Sequence, residues 1–170
     1  IAEDFVYSIK RLADPKLQSL GWWLLDGKVK GLNDWRDKYA DLPKVDYTEV
    51  VEGVKAVDKY TLQFTLQKSF PQFLYSLAMP FTFAVPKEAV DLYGKEFLNH
   101  PVGTGPFVLP MFKQSNKIVY TKNTKFRKKL YPTTASEEFK KAGFLEDAGK
   151  ELPLIDKIVV NIIIEDQPRW

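Results

Sequence analysis

The chain has 170 residues and no cysteine, which excludes disulfides, thiol nucleophiles and Cys-ligated zinc or iron–sulfur centres. Hydrophobic residues make up 45% and aromatics 14%, a globular composition with enough length for one domain or two small lobes. The net charge of +3 does not by itself call for nucleic acid or an anionic membrane. No basic stretch followed by an apolar one precedes the first helix, so no signal peptide lies within the segment. The longest uncharged stretch, residues 69–86, is interrupted by Pro71, Gln72 and Pro80, and it reads as buried helix and strand rather than a membrane span.

In chain order, residues 2–13 read as an amphipathic helix with Phe5, Val6, Ile9 and Leu12 on its apolar face. Glu3 and Asp4 suit the positive end of its dipole, and Lys10 and Arg11 the negative end. Asp14-Pro15 stops it, and no side chain before Ala2 offers a cap. Residues 16–25 form a strongly apolar segment, expected to be helical and to end at Asp26-Gly27. A helix over residues 29–39 would place Leu32, Trp35 and Tyr39 on one stripe. The crowded tryptophans Trp22, Trp23 and Trp35 suit either an ordinary core or the wall of a pocket.

A loop begins at Leu42-Pro43. Residues 54–57 and 60–66 read as two strands around Asp58-Lys59, because Tyr60, Leu62, Phe64 and Leu66 alternate with Thr61, Gln63 and Thr65. Ser69-Phe70-Pro71-Gln72 has the spacing of a helix start, and the helix should carry Phe73, Leu74 and Leu77 inward. Residues 81–85 suggest a short buried strand. Residues 87–93 suggest a helix closed by Gly94. The stretch His100-Pro101-Val102-Gly103-Thr104-Gly105-Pro106-Phe107-Val108 separates a mostly helical part from a mostly stranded one, with its glycines expected to let the backbone turn sharply. Beyond it come strands over 107–112 and 118–121, a basic run from Lys122 to Lys129, and a polar, partly helical surface excursion at about 132–152. Residues 155–164 are so rich in β-branched residues that they suit a central strand buried on both faces. Asp166-Gln167-Pro168 then resembles a helix start.

The residues argue against chemistry. His100 is the sole histidine, so a His-rich metal site cannot be assembled; a Ser-His-Asp triad would have to use His100, and no serine stands in a G-x-S-x-G elbow. Gly103-Thr104-Gly105 is followed by a proline and a strand, whereas a phosphate loop needs amides at a helix N-terminus. The basic run contains one aromatic, Phe126, and reads as a solvated face rather than a nucleic-acid surface. The expectation is a binding module: no enzyme, no catalytic or metal-binding residues, no cofactor.

Several stretches together resemble the family 5 extracytoplasmic solute-binding proteins of ABC transporters for peptides and other solutes. They are Ala2-Glu3-Asp4-Phe5-Val6-Tyr7-Ser8 with Arg11-Leu12 and Asp14-Pro15; Val54-Lys55-Ala56-Val57-Asp58 with Tyr60-Thr61-Leu62; His100 to Phe107 with Lys117-Ile118-Val119 and Asn123; and Leu154-Ile155-Asp156-Lys157-Ile158 with Asp166-Gln167. Ile1 stands where the family commonly has Thr, and residues 133–152 exceed the family's usual short link. The resemblance implies an α+β (mixed α/β) fragment of a periplasmic-binding-protein type II-like fold. Residues 1–101 would be part of the small domain of the N-terminal lobe, and residues 102–170 part of the lobe I core. It implies a solute-binding component of an importer in the periplasm or cell envelope, most readily for di- or oligopeptides, which it would deliver to an ABC transporter permease. The alternatives are a stand-alone interaction or scaffold domain sharing the fold, or a binding protein for a nickel complex, haem, sugar or opine. Charged groups that hold peptide termini in the family would lie largely on the second lobe, outside this segment. Trp22 and Trp23, following Asp14-Pro15, fall where the family can face its solute, and they are the expected ligand-binding residues.

Overall fold

Helix α1 spans Ala2–Ala13, the bounds its periodicity and the Asp14-Pro15 stop predict. Val6, Ile9 and Leu12 point into the core, while Phe5 remains 43% exposed. This corrects the expected apolar face: Phe5 lies at the margin of the stripe, beside Tyr60 and Leu62. Asp4 supplies the missing cap from within the helix, its carboxylate accepting from the Ile1 nitrogen. The computed structural model of the chain describes residues 1–163; Ile164 and the expected helix start at Asp166-Gln167-Pro168 lie outside the described residues.

The segment after α1 is not an α-helix. It turns from Pro15 to Gly21, with Gln18 in the left-handed region at φ 47, and forms one 3-10 turn over Trp22–Leu24. Its apolar residues are distributed in both directions: Leu24 and Leu25 are buried, whereas Leu17 and Leu20 face solvent. Apolar content alone could not distinguish these fates, since the segment has no sustained helical period. Helix α2 runs Leu32–Ala40 and buries Leu32, Trp35 and Tyr39 as the stripe predicts. It starts later than expected because Val29 pairs with Leu66 in an isolated bridge.

Strands β1, Val54–Ala56, and β2, Leu62–Phe64, form an antiparallel hairpin in which Lys55 faces Gln63. The Asp58 carboxylate accepts from the amides of Tyr60 and Thr61 and so makes the turn without glycine. Tyr60 lies in this turn, 80% exposed, rather than on the buried face. Residues 28–30 run along the hairpin: the Lys30 amide donates to Thr65, the Gly53 amide to Lys30, and the Gln67 amide to Lys28. Gly53 permits that approach, because a Cβ there would stand 2.4 Å from the Lys30 carbonyl oxygen.

Helix α3, Phe73–Leu77, starts after Gln72, so Ser69 does not cap it. Phe73 is buried and Leu77 packs on the core, but Leu74 is 74% exposed. A five-residue helix presents a single narrow stripe inward, and Leu74 lies off it. The expected strand over 81–85 is instead a 3-10 turn, Pro80–Thr82, followed by extended chain. Its alternate residues Phe81 and Phe83 are exposed, and the Thr82 hydroxyl donates to the Leu77 and Met79 carbonyls. Helix α4, Lys87–Tyr93, ends at Gly94 with φ 52, as its sequence predicts.

Contacts divide the chain into two compact units, Ile1–Gly94 and Lys95–Trp170. In the second, strands β3, Phe107–Lys113, β4, Lys117–Lys122, and β5, Lys157–Asn161, form an antiparallel sheet in the order β3-β4-β5. Pro110 lies in a register shift between Val108 and Met111, where a residue without an amide proton is tolerated. The order corrects the expected central strand. β4 is central, and β5 pairs with β4 alone among the described residues, leaving Val159 and Val160 exposed. A β-branched run shows strand preference but not position within a sheet. Between β4 and β5 the excursion carries a short helix α5, Glu137–Lys141, capped by Ser136. It closes on itself where Leu130 pairs with Glu151.

Candidate ligand-binding surface

Asp14, which ends α1, is 4% exposed. Its carboxylate accepts from the Lys16 amide at 2.7 Å and from the Tyr47 hydroxyl. Burial, reinforced by that carboxylate, raises the Tyr47 hydroxyl well above its ordinary value, so it stays a donor. Arg36 on α2 donates to the Ala13 carbonyl at 2.7 Å and places its guanidinium 4.9 Å from the Trp22 ring centroid. A buried Lys10 ammonium donates to the Tyr47 and Glu49 carbonyls at 2.9 and 2.7 Å. Burial lowers the pKa of Lys10. The end of α1, the start of the 16–21 turn and the 47–49 loop are thus tied together by charge-assisted hydrogen bonds.

Within that frame the three tryptophans separate. Trp35 is core, 3% exposed, with Tyr39 at 5.2 Å between ring centroids. Trp22 is half-buried under Arg36, and Trp23 is 60% exposed. Leu24 and Leu25 anchor the same turn inward, so the backbone carrying Trp23 is fixed although its ring is not covered. Lys28 adds a hydrogen bond to the Trp23 carbonyl at 2.7 Å, and Asn33 joins Asp26 to the Gly27 amide. Phe81 lies against Gly21: a Cβ on this glycine would stand 2.5 Å from the Phe81 Cβ. An exposed aromatic surface therefore comprises the Trp22-Trp23 turn with Phe81 at its base.

Sequence reading singles out Trp22 and Trp23 and does not indicate that Phe81 and Arg36 lie near them or that Tyr47 meets Asp14. The only sequence signal for Phe81 was a glycine beside two tryptophans, which does not say what approaches it. A separate cleft of about 340 Å³ is lined by Ile1, Ala2, Phe5, Tyr60 and Leu62, and it includes neither tryptophan. Among the described residues no group of three or more His, Asp or Glu side chains could hold a metal ion. No described helix is long and apolar enough to cross a membrane.

The glycines of the 100–108 stretch differ from expectation. Neither Gly103 nor Gly105 has a positive φ, and a Cβ on either would meet nothing within 4 Å. The stretch is held instead by Asn123, whose side chain donates to the Gly105 carbonyl at 2.9 Å and whose amide donates to that of Pro106 at 2.8 Å.

Comparison with known proteins gives this geometry its context. The oligopeptide-binding protein AmiA of Streptococcus pneumoniae is 32% identical over 130 residues, covering 74% of this chain and 18% of AmiA. The probable deoxycholate-binding periplasmic protein YgiS of Escherichia coli is 35% identical over 129 residues, covering 74% of this chain and 23% of YgiS. The crystal structure of a periplasmic oligopeptide-binding protein, OppAIV, from Borrelia burgdorferi matches with a TM-score of 0.67 and 23% identity, over 95% of this chain and 27% of that one. That likeness shows the mixed α/β fold. The chain spans roughly a fifth of the length of the curated relatives it matches. The profile described as bacterial extracellular solute-binding proteins, family 5 Middle, matches residues 1–170. The chain belongs to the family 5 bacterial extracellular solute-binding proteins.

Proposed function

We propose that this chain is part of the solute-binding component of an ABC-type importer. The whole protein would bind di- or oligopeptides outside the cytoplasmic membrane, in the periplasm or cell envelope, and pass them to a membrane permease. The observation that carries this reading is the family match across residues 1–170, supported by oligopeptide-binding relatives. The protein is then a binding module and not an enzyme, and closure of two lobes traps the solute. Trp22 and Trp23 line the solute site in this reading. Their support is physical: an exposed indole on a backbone fixed by Leu24, Leu25 and Lys28 offers apolar area at little ordering cost. A second reading, an amphipathic steroid-like solute, is favoured by the 35% identity to a probable deoxycholate-binding protein.

Calorimetric titration of the full-length protein with short peptides and with deoxycholate separates the two. Peptide binding is expected; heat with deoxycholate alone would transfer the assignment to the second reading. Replacing Trp22→Phe and Trp23→Phe together should remove most of the peptide-induced change in tryptophan emission. An undiminished change would exclude both residues from the solute site.

A further inference from the structure

We propose that the basic segment 125–129, with the excursion that rises from it, docks the protein on an anionic phospholipid surface. The inference rests on the reading that the protein works outside the cytoplasmic membrane. Lys125, Arg127, Lys128 and Lys129 are all exposed, and none has an ion-pair partner among the described residues. Among the described residues none of the excursion's acids forms an ion pair with them. Glu137 pairs with Lys140 and Asp147 with Lys150, each within the excursion. Glu151 is the acid in register with the run, across from Leu130.

The run is also held in place. The side chain of Asn123 accepts from the Lys125 amide, the Phe126 amide donates to the Asn123 carbonyl, and the Arg127 guanidinium lies 5.0 Å from the Phe126 ring centroid. At its far end the Leu152 amide donates to the Lys129 carbonyl, and the Tyr131 amide to the Lys150 carbonyl. This ladder closes the excursion at its base. Within the closed loop Phe139 and Phe144 meet edge to face at 5.5 Å, yet remain 51% and 56% exposed, and Leu130 is 47% exposed.

Exposed cations on a held backbone, in one segment with a loop that carries exposed aromatic and aliphatic groups, match the headgroup layer, where charge meets phosphate and apolar rings enter the acyl boundary. Three of the four cations are lysines, compact charges on flexible stems. They suit a diffuse anionic surface better than the planar, two-point recognition that favours arginine on an acidic protein.

The test is flotation of the full-length protein, released from any membrane anchor, with phosphatidylglycerol-containing vesicles and with vesicles of phosphatidylcholine alone. Binding should favour the anionic vesicles by about tenfold or more and weaken with salt. The combined variant Lys125→Gln, Arg127→Gln, Lys128→Gln and Lys129→Gln should lose that preference, with its circular dichroism and peptide titration unchanged. Phe139→Ser with Phe144→Ser should weaken binding to anionic vesicles at high salt. Equal binding to both vesicle types, no binding to either, wild-type flotation by the quadruple variant, or capture by RNA without flotation would each overturn the proposal. Peptide titration of the wild-type protein reads the importer assignment independently, so the failure of one is distinguishable from the failure of the other.

Discussion

Tyr39 and Glu49 show how a single pair imposes a pH dependence. The Tyr39 hydroxyl donates to the Glu49 carboxylate, which also pairs with Lys38 at 2.8 Å. The hydrogen bond to that carboxylate pushes Tyr39 up from an ordinary 10.0 to about 12. Lys38 and then Tyr39 hold Glu49 below its ordinary 4.5. For Tyr39 the folded chain keeps the proton longer than the unfolded one. Its contribution is therefore complete below pH 10.0 and is lost as pH rises toward about 12. For Glu49 the sign reverses: the contribution stands above pH 4.5 and is lost as pH falls below it. In Tyr39→Phe the stability difference from wild type should shrink between pH 10 and about 12. It should also shrink at acid pH, with melting temperature against pH as the readout. A constant difference across both windows would show that the pair does not couple to folding.

Elements in this protein are held by close backbone approaches as much as by apolar faces. Gly53 lies where the 28–30 strip meets the β-hairpin, and a Cβ there would strike backbone atoms of Lys30 at 2.4 and 2.6 Å. Backbone cannot rotate away as a side chain can, so Gly53→Ala should destabilise by roughly 1–3 kcal/mol in urea titration. Gly105→Val makes the opposite case. The glycines of the 100–108 stretch are expected from sequence to let the backbone turn sharply, yet a Cβ at Gly105 meets open space without a positive φ. A change within about 0.5 kcal/mol is expected there. Asn123→Ala should cost more, since it frees the Gly105 carbonyl.

At the scale of the whole chain the two units differ in how their elements are covered. In the first, α1, α2 and the hairpin share one core, and Ile9, Leu25, Val29 and Leu32 are no more than 2% exposed. In the second, among the described residues, Val119 on central β4 is the buried apolar residue of the sheet and β5 has one neighbour. Amides of α1 around Ile9 should therefore exchange at least about tenfold more slowly than those of β5 in the 170-residue chain, read by hydrogen–deuterium exchange. Equal protection would mean that the sheet is as cooperative as the helical core.

The sequence by itself determined the elements with a clear period or stop. These are α1 between its acidic first turn and Asp14-Pro15, the apolar stripe of α2, the alternation of β2, and α4 up to Gly94. In each, local sterics and a single buried face agree, so a short window carries the answer. The family was legible in part for a related reason, since Asp14-Pro15 at the end of α1 and Tyr60-Thr61-Leu62 at the start of β2 are among the residues that carry the resemblance. Tertiary structure alone decided the rest. Among the described residues it placed β5 at an edge, turned Phe81 and Phe83 outward, and distributed three tryptophans among core, shoulder and surface. It also brought Arg36 to Trp22, and Tyr47 to Asp14. Those outcomes depend on which distant residue fills the adjoining space, and hydrophobicity along the chain records that a residue seeks cover without recording where the cover comes from.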